Sequence, residues 1–571
     1  MSNKNPKPSR EKISPQKDNG KDTKPPAIAK AFRVRYPAVW LAVAALLVYA
    51  PSLSFRLTDY DDGIFINTFQ DYNEDLRNLF VSFGRGVFDA VRDTYYRPIF
   101  SDVMILNYQL ADHGHNIAMY HAVNILFHIV AVVLLYKLLT RLKIKELHAF
   151  ILTLFFAVHP VLSMAVAWIP GRNDTMLAVS VFSYLIFTID YSVTGKLRPL
   201  LLSALFLLIA YFTKETAVAA VPVAFILVTF VMRHNWKERR NLIQYGVWIA
   251  CFAVWFAVRS VASIQSGRLS PVQMVHDFIH KIPLISQYIG KICFPFNLSV
   301  FPIMADTVNY YGIIALALLG LCLYLNTKRE MSVAFSGIGI FLLFLLPALI
   351  VPESINKQTF EHRLYLPMLG ILILLSQTVL FKNKLSDARL FIMGIAICAA
   401  LAVFNFNYVQ NYSGPNAFWS QAVESSPHSA YANMMLAART DDAAESKKLF
   451  LKAYSLDPKQ VYMNFIYGVM LQNKDSILAS EKYLLDEKAN SGYYECDYYL
   501  ARVALEKKDY NSAIAYLQSF LKKAPGNKTA NDNLLLLFLD TDQNDKAKAQ
   551  AIHMKKYGLE LPESVVKAFN L

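Results

Sequence analysis

Three carboxylates lie within four residues, Asp59, Asp61 and Asp62, just after the first long apolar stretch of the chain. Acids at a membrane face are unfavourable unless water, a metal, cations or a substrate use them. Their chemistry would be that of a general base: a hydroxyl nucleophile needs a carboxylate within hydrogen-bond reach to take its proton as the new bond forms. Adjacent Asp61 and Asp62 cannot point the same way, so one would face the acceptor and the other would orient it or hold a cation. The bland alternative is a solvated loop or a helix cap, and Asp62-Gly63 also suits a turn.

Cations beside carboxylates recur further along. Tyr95-Tyr96-Arg97-Pro98 shares the first loop, followed by Gly171-Arg172-Asn173-Asp174, Lys214-Glu215 and Glu361-His362-Arg363-Leu364-Tyr365. Several such pairs on one side suggest a polar chamber in which cations hold a phosphate at headgroup depth, Arg by its bidentate fork. Single cases are also explained by side chains anchoring at the interface. His121, Asn124 and His128 share one helix face. A polar stripe on an apolar helix faces a bundle interior or a wet cavity, and the alternative is an interhelical hydrogen-bond network. No zinc set is present, and the five cysteines form no CxxC pair.

These loops must be held by apolar spans. The chain is 55% hydrophobic. Crossing hydrocarbon takes ~20 apolar residues in a helix, and the runs between residues 38 and 410 approach that length. We read eleven spans: 38–55, 118–136, 148–165, 174–193, 199–213, 217–232, 242–259, 309–326, 332–350, 364–381 and 390–407. The stretch 260–307, with Pro271, Pro283, Pro295 and Pro302, reads as interfacial or re-entrant. The net charge is +14. The tail 1–37, rich in Lys and Pro, reads as a disordered cytoplasmic segment. A basic tail next to a span is a positive-inside signal rather than a nucleic-acid site. With the tail inside, the Lys/Arg-rich breaks fall on the same side. The loops carrying the candidate residues fall opposite, with residues 411–571.

Residues 411–571 read as soluble helical repeats. Pro427, Pro458 and Pro525 close similar phrases. Their separations are close to one and two repeat units, a unit being ~34 residues. Asp509-Tyr510-Asn511-Ser512-Ala513-Ile514-Ala515-Tyr516-Leu517 has the small-large alternation of a tetratricopeptide helix pair. Such pairs stack into a superhelix with a concave groove.

Several of these motifs resemble those of the transmembrane and tetratricopeptide-repeat O-mannosyltransferases. They are Asp61-Asp62, Tyr96-Arg97-Pro98, His121-x-x-Asn124-x-x-x-His128, Ala157-Val158-His159-Pro160-Val161, Gly171-Arg172-Asn173-Asp174, Lys214-Glu215, Phe294-Pro295-Phe296-Asn297-Leu298-Ser299 and Arg363-Leu364-Tyr365-Leu366-Pro367. The resemblance implies an all-α fold: a polytopic GT-C membrane bundle, 38–410, followed by a tetratricopeptide solenoid, 411–571. It implies transfer of mannose or another hexose, with inversion, from a polyprenyl-phosphate carrier to Ser or Thr of exported proteins held by the repeat groove. Asp61 would be the base and Asp62 its partner. The donor site would be drawn from Arg97, His121, Arg172, Asp174, Lys214, Glu215, Arg363 and Tyr365. A divalent metal at the acid pair is allowed but not required. The Lys/Asn-rich composition suggests a bacterial relative in the inner membrane, its repeats periplasmic; in a eukaryote the place would be the endoplasmic reticulum membrane. Two other readings stay open: a GT-C enzyme with a lipid or glycan acceptor, and a non-catalytic membrane scaffold.

Overall fold

A peptide backbone in hydrocarbon must satisfy its own polar groups, so the apolar runs can cross only as helices. The computed structural model describes Ser2 and residues 34–88, 95–262, 271–351, 357–382, 386–473 and 476–570. All but the end of the basic tail falls outside them, apart from Ser2. Among the described residues there are helices and no β-strand, only an isolated bridge between Ile303 and Gln358.

Among the described residues six helices are long and apolar enough to span a membrane: Pro37–Ser54, Ile117–Arg141, Ile169–Thr194, Arg239–Val261, Met331–Ile350 and Asp387–Tyr412. Glu146–Val158 and Pro160–Ala167 make a seventh if read as one span bent by 53°. The bend falls at Pro160, which has no N–H for the helical ladder. The protein is a multi-pass membrane protein, and several of the eleven expected spans are shorter or broken helices. Leu197–Thr213, Glu215–Val231 and Tyr310–Tyr324 are shorter apolar helices. The expected span 364–381 is broken into Glu361–Leu364, Met368–Leu375 and Val379–Lys382. In the proline-rich stretch, Pro271–His280 and Pro283–Cys293 are short helices.

The broken segment is held by backbone packing. Gly370 lies on Gly337 of Met331–Ile350, so close that a Cβ on Gly370 would overlap the Gly337 carbonyl oxygen and the Phe341 amide. Small residues at helix crossings permit this approach in a membrane, where apolar side chains gain nothing over lipid.

Beyond Tyr412 the helices come in pairs: Ala430–Ala437 with Ala443–Leu456, Met463–Gln472 with Ile477–Ser491, Glu495–Glu506 with Tyr510–Leu521, and Lys528–Asp540 with Asn544–Lys556. Asp442, Asp509 and Asn527 cap their helices by accepting from backbone N–H groups. The divide expected at 411 falls in the last turn of Asp387–Tyr412, and one apolar core runs on through Trp419 and Phe450 to Met463. Polar contacts follow the same seam. Gln421 accepts from Val300 N (2.9 Å) and donates to Leu298 O (3.3 Å). Asp306 accepts from His428 N (2.9 Å), and Lys357 pairs with Asp457 (3.1 Å).

Gly370→Leu is expected to lower the melting temperature and the folded yield strongly, because the crossing has no room. Gly320→Ala, with nothing within 4 Å of its Cβ, should be silent. Thermal unfolding in detergent compares the two, and equal stability of both variants would refute the packing argument.

Candidate functional site

The first loop is organised by Asp62. It is 1% exposed, and its carboxylate accepts from Thr58 N (2.6 Å), Thr58 Oγ1 (3.0 Å), Tyr60 N (3.1 Å) and Gly63 N (3.0 Å). Thr58 O in turn accepts from Trp419 Nε1 at 3.1 Å. Tyr60 stacks on Trp168 at 5.7 Å and meets Trp419 edge-on at 5.9 Å. With its oxygens taken, Asp62 fixes the loop and leaves Asp61 as the carboxylate facing open space. Asp61 and Asp59 line a cleft of 480 Å³ whose other walls include Phe301, Tyr431, Tyr462 and Tyr493. Burial and the adjacent Asp62 push the Asp61 carboxyl up to about 7, against the pull of Arg97. A base of that pKa is poised near neutral pH.

On the Arg97 side of Asp61 the cations gather, but they pair across loops rather than with their sequence neighbours. Glu215 accepts from Tyr96 N (2.8 Å) and Arg97 Nε (3.0 Å), tying the first loop to the turn after Leu197–Thr213. Lys214 donates to both oxygens of Asp174, at 2.7 and 2.8 Å. His362 Nε2 lies 3.9 Å from the same carboxylate, too far for a hydrogen bond. Burial, then Lys214, Arg363 and Arg97, hold His362 well below its ordinary pKa, so it is neutral. Burial also lowers Lys214; Asp174 opposes this and Arg97 adds to it. Arg363 lies over the Phe360 ring at 5.7 Å and has no carboxylate partner among the described residues. Four cationic or imidazole side chains from three separate loops therefore lie near enough to act on one another's charge, and among the described residues Arg363 is the cation without a carboxylate partner.

Two other expected donor-site residues, Arg172 and Tyr365, are committed elsewhere. Arg172 is 0% exposed; its Nε donates to Asn124 Oδ1 (2.7 Å), Nη1 to Asn107 Oδ1 (2.7 Å) and Nη2 to Tyr120 O (2.8 Å). That geometry makes it a pin between helices rather than a phosphate ligand. Asn124 Nδ2 donates back to Val166 O and Trp168 O, each at 3.0 Å. His128 donates from Nε2 to Ala157 O (3.0 Å), so its Nδ1 accepts from Tyr365 OH (2.7 Å). Tyr365 is thus buried in an interhelical network. His121 is buried edge-on to Phe55. Asn124 and His128 of the polar stripe serve interhelical hydrogen bonds.

One pair escaped sequence reasoning. Glu361 is 1% exposed and accepts from Lys291 Nζ (2.7 Å) and Ser299 N (3.0 Å). It anchors the loop that presents His362 and Arg363. Lys291 sits in a segment too short and proline-flanked to read as a span, so nothing marked it as buried. Among the described residues no group of three or more His, Cys, Asp or Glu could hold a metal.

No family model matches the chain. It is similar to the mouse protein O-mannosyl-transferase TMTC1, 31% identical over 225 residues, covering 36% of this chain and 23% of that protein. The human protein of the same name is 24% identical over 510 residues, covering 73% of this chain and 55% of its own length. The Caenorhabditis elegans protein O-mannosyl-transferase F38B6.6 is 30% identical over 159 residues, covering 27% and 22%. The chain spans about half or less of the length of these relatives. Among solved structures, ArnT from Cupriavidus metallidurans in the apo state overlays loosely. Its TM-score is 0.39 at 18% identity, covering 73% of this chain and 74% of that one. The resemblance read from the motifs is thus found again in relatives that carry the O-mannosyl-transferase name.

Two outcomes follow from the geometry. Arg363→Ala should weaken use of a phosphate-bearing donor by about ten- to a hundredfold, the loss of one charge-assisted contact of ~1.5–3 kcal/mol. It should leave the melting temperature near that of the parent. Arg172→Ala should instead lower the melting temperature, since three buried acceptors lose their donor. Donor titration and thermal unfolding of both variants check the split, and a reversed pattern would exchange the two roles.

Proposed function

We propose that the protein is a membrane glycosyltransferase that moves a hexose, mannose or a related sugar, from a polyprenyl-phosphate carrier to Ser or Thr of exported proteins. The observation that supports this reading best is the position of Asp61. It lines a cleft walled in part by the C-terminal helices, while the charges of Arg97, Lys214 and Arg363 act on one another and, through Arg97, on Asp61 itself. A sugar phosphate held by the cations would present its anomeric carbon to a hydroxyl arriving through the cleft. Asp61 takes the hydroxyl proton, the acceptor oxygen bonds to the anomeric carbon, and the carbon–oxygen bond to phosphate breaks with inversion. The leaving group departs as a lipid phosphate, and the cations stabilise its developing charge without a strong general acid. The names of the relatives agree with this chemistry. No step is routed through a metal, since the oxygens of Asp62 are already filled. The membrane body would carry the reaction, and residues 411–571, as a tetratricopeptide-like array across the membrane from the basic tail, would bring the protein acceptor.

The test uses the purified chain in nanodiscs with polyprenyl-phosphate mannose and an unstructured Ser/Thr peptide. Transfer is expected with kcat/KM falling about tenfold per pH unit below an acid limb near pH 7, because only ionised Asp61 accepts the proton. Asp61→Asn should lose ~10²–10⁴-fold with donor binding retained. No glycopeptide with this donor or its glucose, galactose or N-acetyl analogues, or full turnover by Asp61→Asn, would sink the reading.

A further inference from the structure

The cleft beside Asp61 has an internal order that the proposed reaction does not require. Tyr431, Tyr462 and Tyr493 are evenly spaced along the chain, and all three line it. Each stands at the start of the first helix of a pair: Tyr431 within Ala430–Ala437, Tyr462 capping Met463–Gln472, and Tyr493 just before Glu495–Glu506. Because the pairs repeat, one position in the repeat places its ring on the same wall each time. Tyr60 meets Tyr431 at 6.1 Å, and Tyr462 meets Tyr493 at 4.7 Å. The next position in the series is Ala524, so the row has three rungs and starts beside Asp61.

The middle rung is held at a cost. Tyr462 has a φ of +69°, a left-handed backbone that a bulky side chain rarely adopts. Glu487, 0% exposed, holds it there by accepting from Tyr462 N (2.9 Å) and Asn464 N (3.2 Å). Rings that only glued helix pairs together would be fully buried and would need no such backbone; these are half-buried and face the cleft. Strain that the surroundings enforce is a pointer to function.

Charge gives the row a polarity. Asp59 and Asp61 line the cleft, with Arg439 reaching Asp59 at 3.3 Å. Asp61 has no such ion pair among the described residues, and a like charge brought beside it is rejected.

Building on the proposed transferase reading, we propose that the cleft takes the acceptor as an extended, unfolded polypeptide segment. Tyr431, Tyr462 and Tyr493 read that segment by stacking, and acidic residues flanking the acceptor hydroxyl are excluded. Tyr offers a large, rigid, amphipathic face at low entropic cost. In an extended chain side chains alternate between two faces, so residues i and i+2, ~6.6 Å apart, present themselves to the same row of rings.

The test measures binding and transfer separately on the full chain in nanodiscs. Two fluorescein-labelled peptides, a short one that reaches only Tyr431 and one about three times longer, each carry one central Thr. They are titrated by anisotropy without donor, then assayed with polyprenyl-phosphate mannose. The parent should bind the longer peptide more tightly, and Glu on both sides of the Thr should weaken binding about tenfold. Tyr462→Ala and Tyr493→Ala should each weaken the long peptide about three- to tenfold. They should do so through KM with kcat retained, so that the length preference collapses. Tyr462→Gly should lose the same affinity yet melt at or above the parent temperature, because glycine relieves the left-handed backbone. An unchanged length preference in all three variants, or equal binding of the acidic and neutral peptides, overturns the proposal. A parent that binds and discriminates peptides but transfers no sugar would refute the transferase reading and leave the docking row standing.

Discussion

The carboxylate of Asp62 is the constraint from which the site follows. Four donors within the same short loop close on it, and each lost donor would leave a buried acceptor unsatisfied. The closed loop can present Asp61 in one way only. It also makes the like-charge repulsion between neighbours useful, since the committed Asp62 helps to raise the pKa of the free Asp61. The role of the acid pair is therefore divided by geometry: one side chain holds shape, the other is available for chemistry.

The cation side is built by a different rule. Lys214 is a buried charge and Arg97 a partly buried one, and each is held by a carboxylate brought from another loop, Asp174 and Glu215. Buried charges need such partners, because desolvation costs more than a single contact returns. Pairing across loops also locks the ends of several helices into one rigid unit. Arg363 is the exception, and its loop is fixed at one remove by Glu361 and Lys291. Among the described residues no carboxylate pairs with Arg363, and in the proposed reading that leaves it free for the donor's phosphate.

Much of this was legible in the sequence, but unevenly. The apolar helices and the paired C-terminal helices followed from hydropathy and repeat spacing, because both are set by period. The break within the expected span 364–381 was not legible, since Gly337 and Gly370 allow a broken segment to pack backbone to backbone and hydropathy is blind to that. Asp61, Arg97, Lys214 and Glu215 were picked out by type and position, and they do adjoin. Who pairs with whom was not, because neighbours in sequence suggested Lys214 with Glu215 while the fold crosses them. Arg172 and Tyr365 looked like ligands only because a buried network and a ligand site draw on the same polar residues. The Tyr431, Tyr462 and Tyr493 series was present in the repeat spacing, yet only the cleft shows which face it shares.

The C-terminal helices cannot be regarded as an appendage. Trp419 donates to the carbonyl of Thr58, whose amide and hydroxyl hold Asp62, and Arg439 reaches Asp59 at 3.3 Å. The apolar core is continuous through Met463. The first helix pair therefore belongs to the machinery that shapes the loop, whereas the second and third contribute Tyr462 and Tyr493 to the cleft wall. In the proposed reading, recruiting an acceptor and stabilising the loop are therefore not rival explanations for residues 411–571. The first pair carries both the loop contacts and Tyr431, and the next two carry Tyr462 and Tyr493. A segment lying along the tyrosines would meet the stabilised end last, at Asp61, where the hydroxyl is needed.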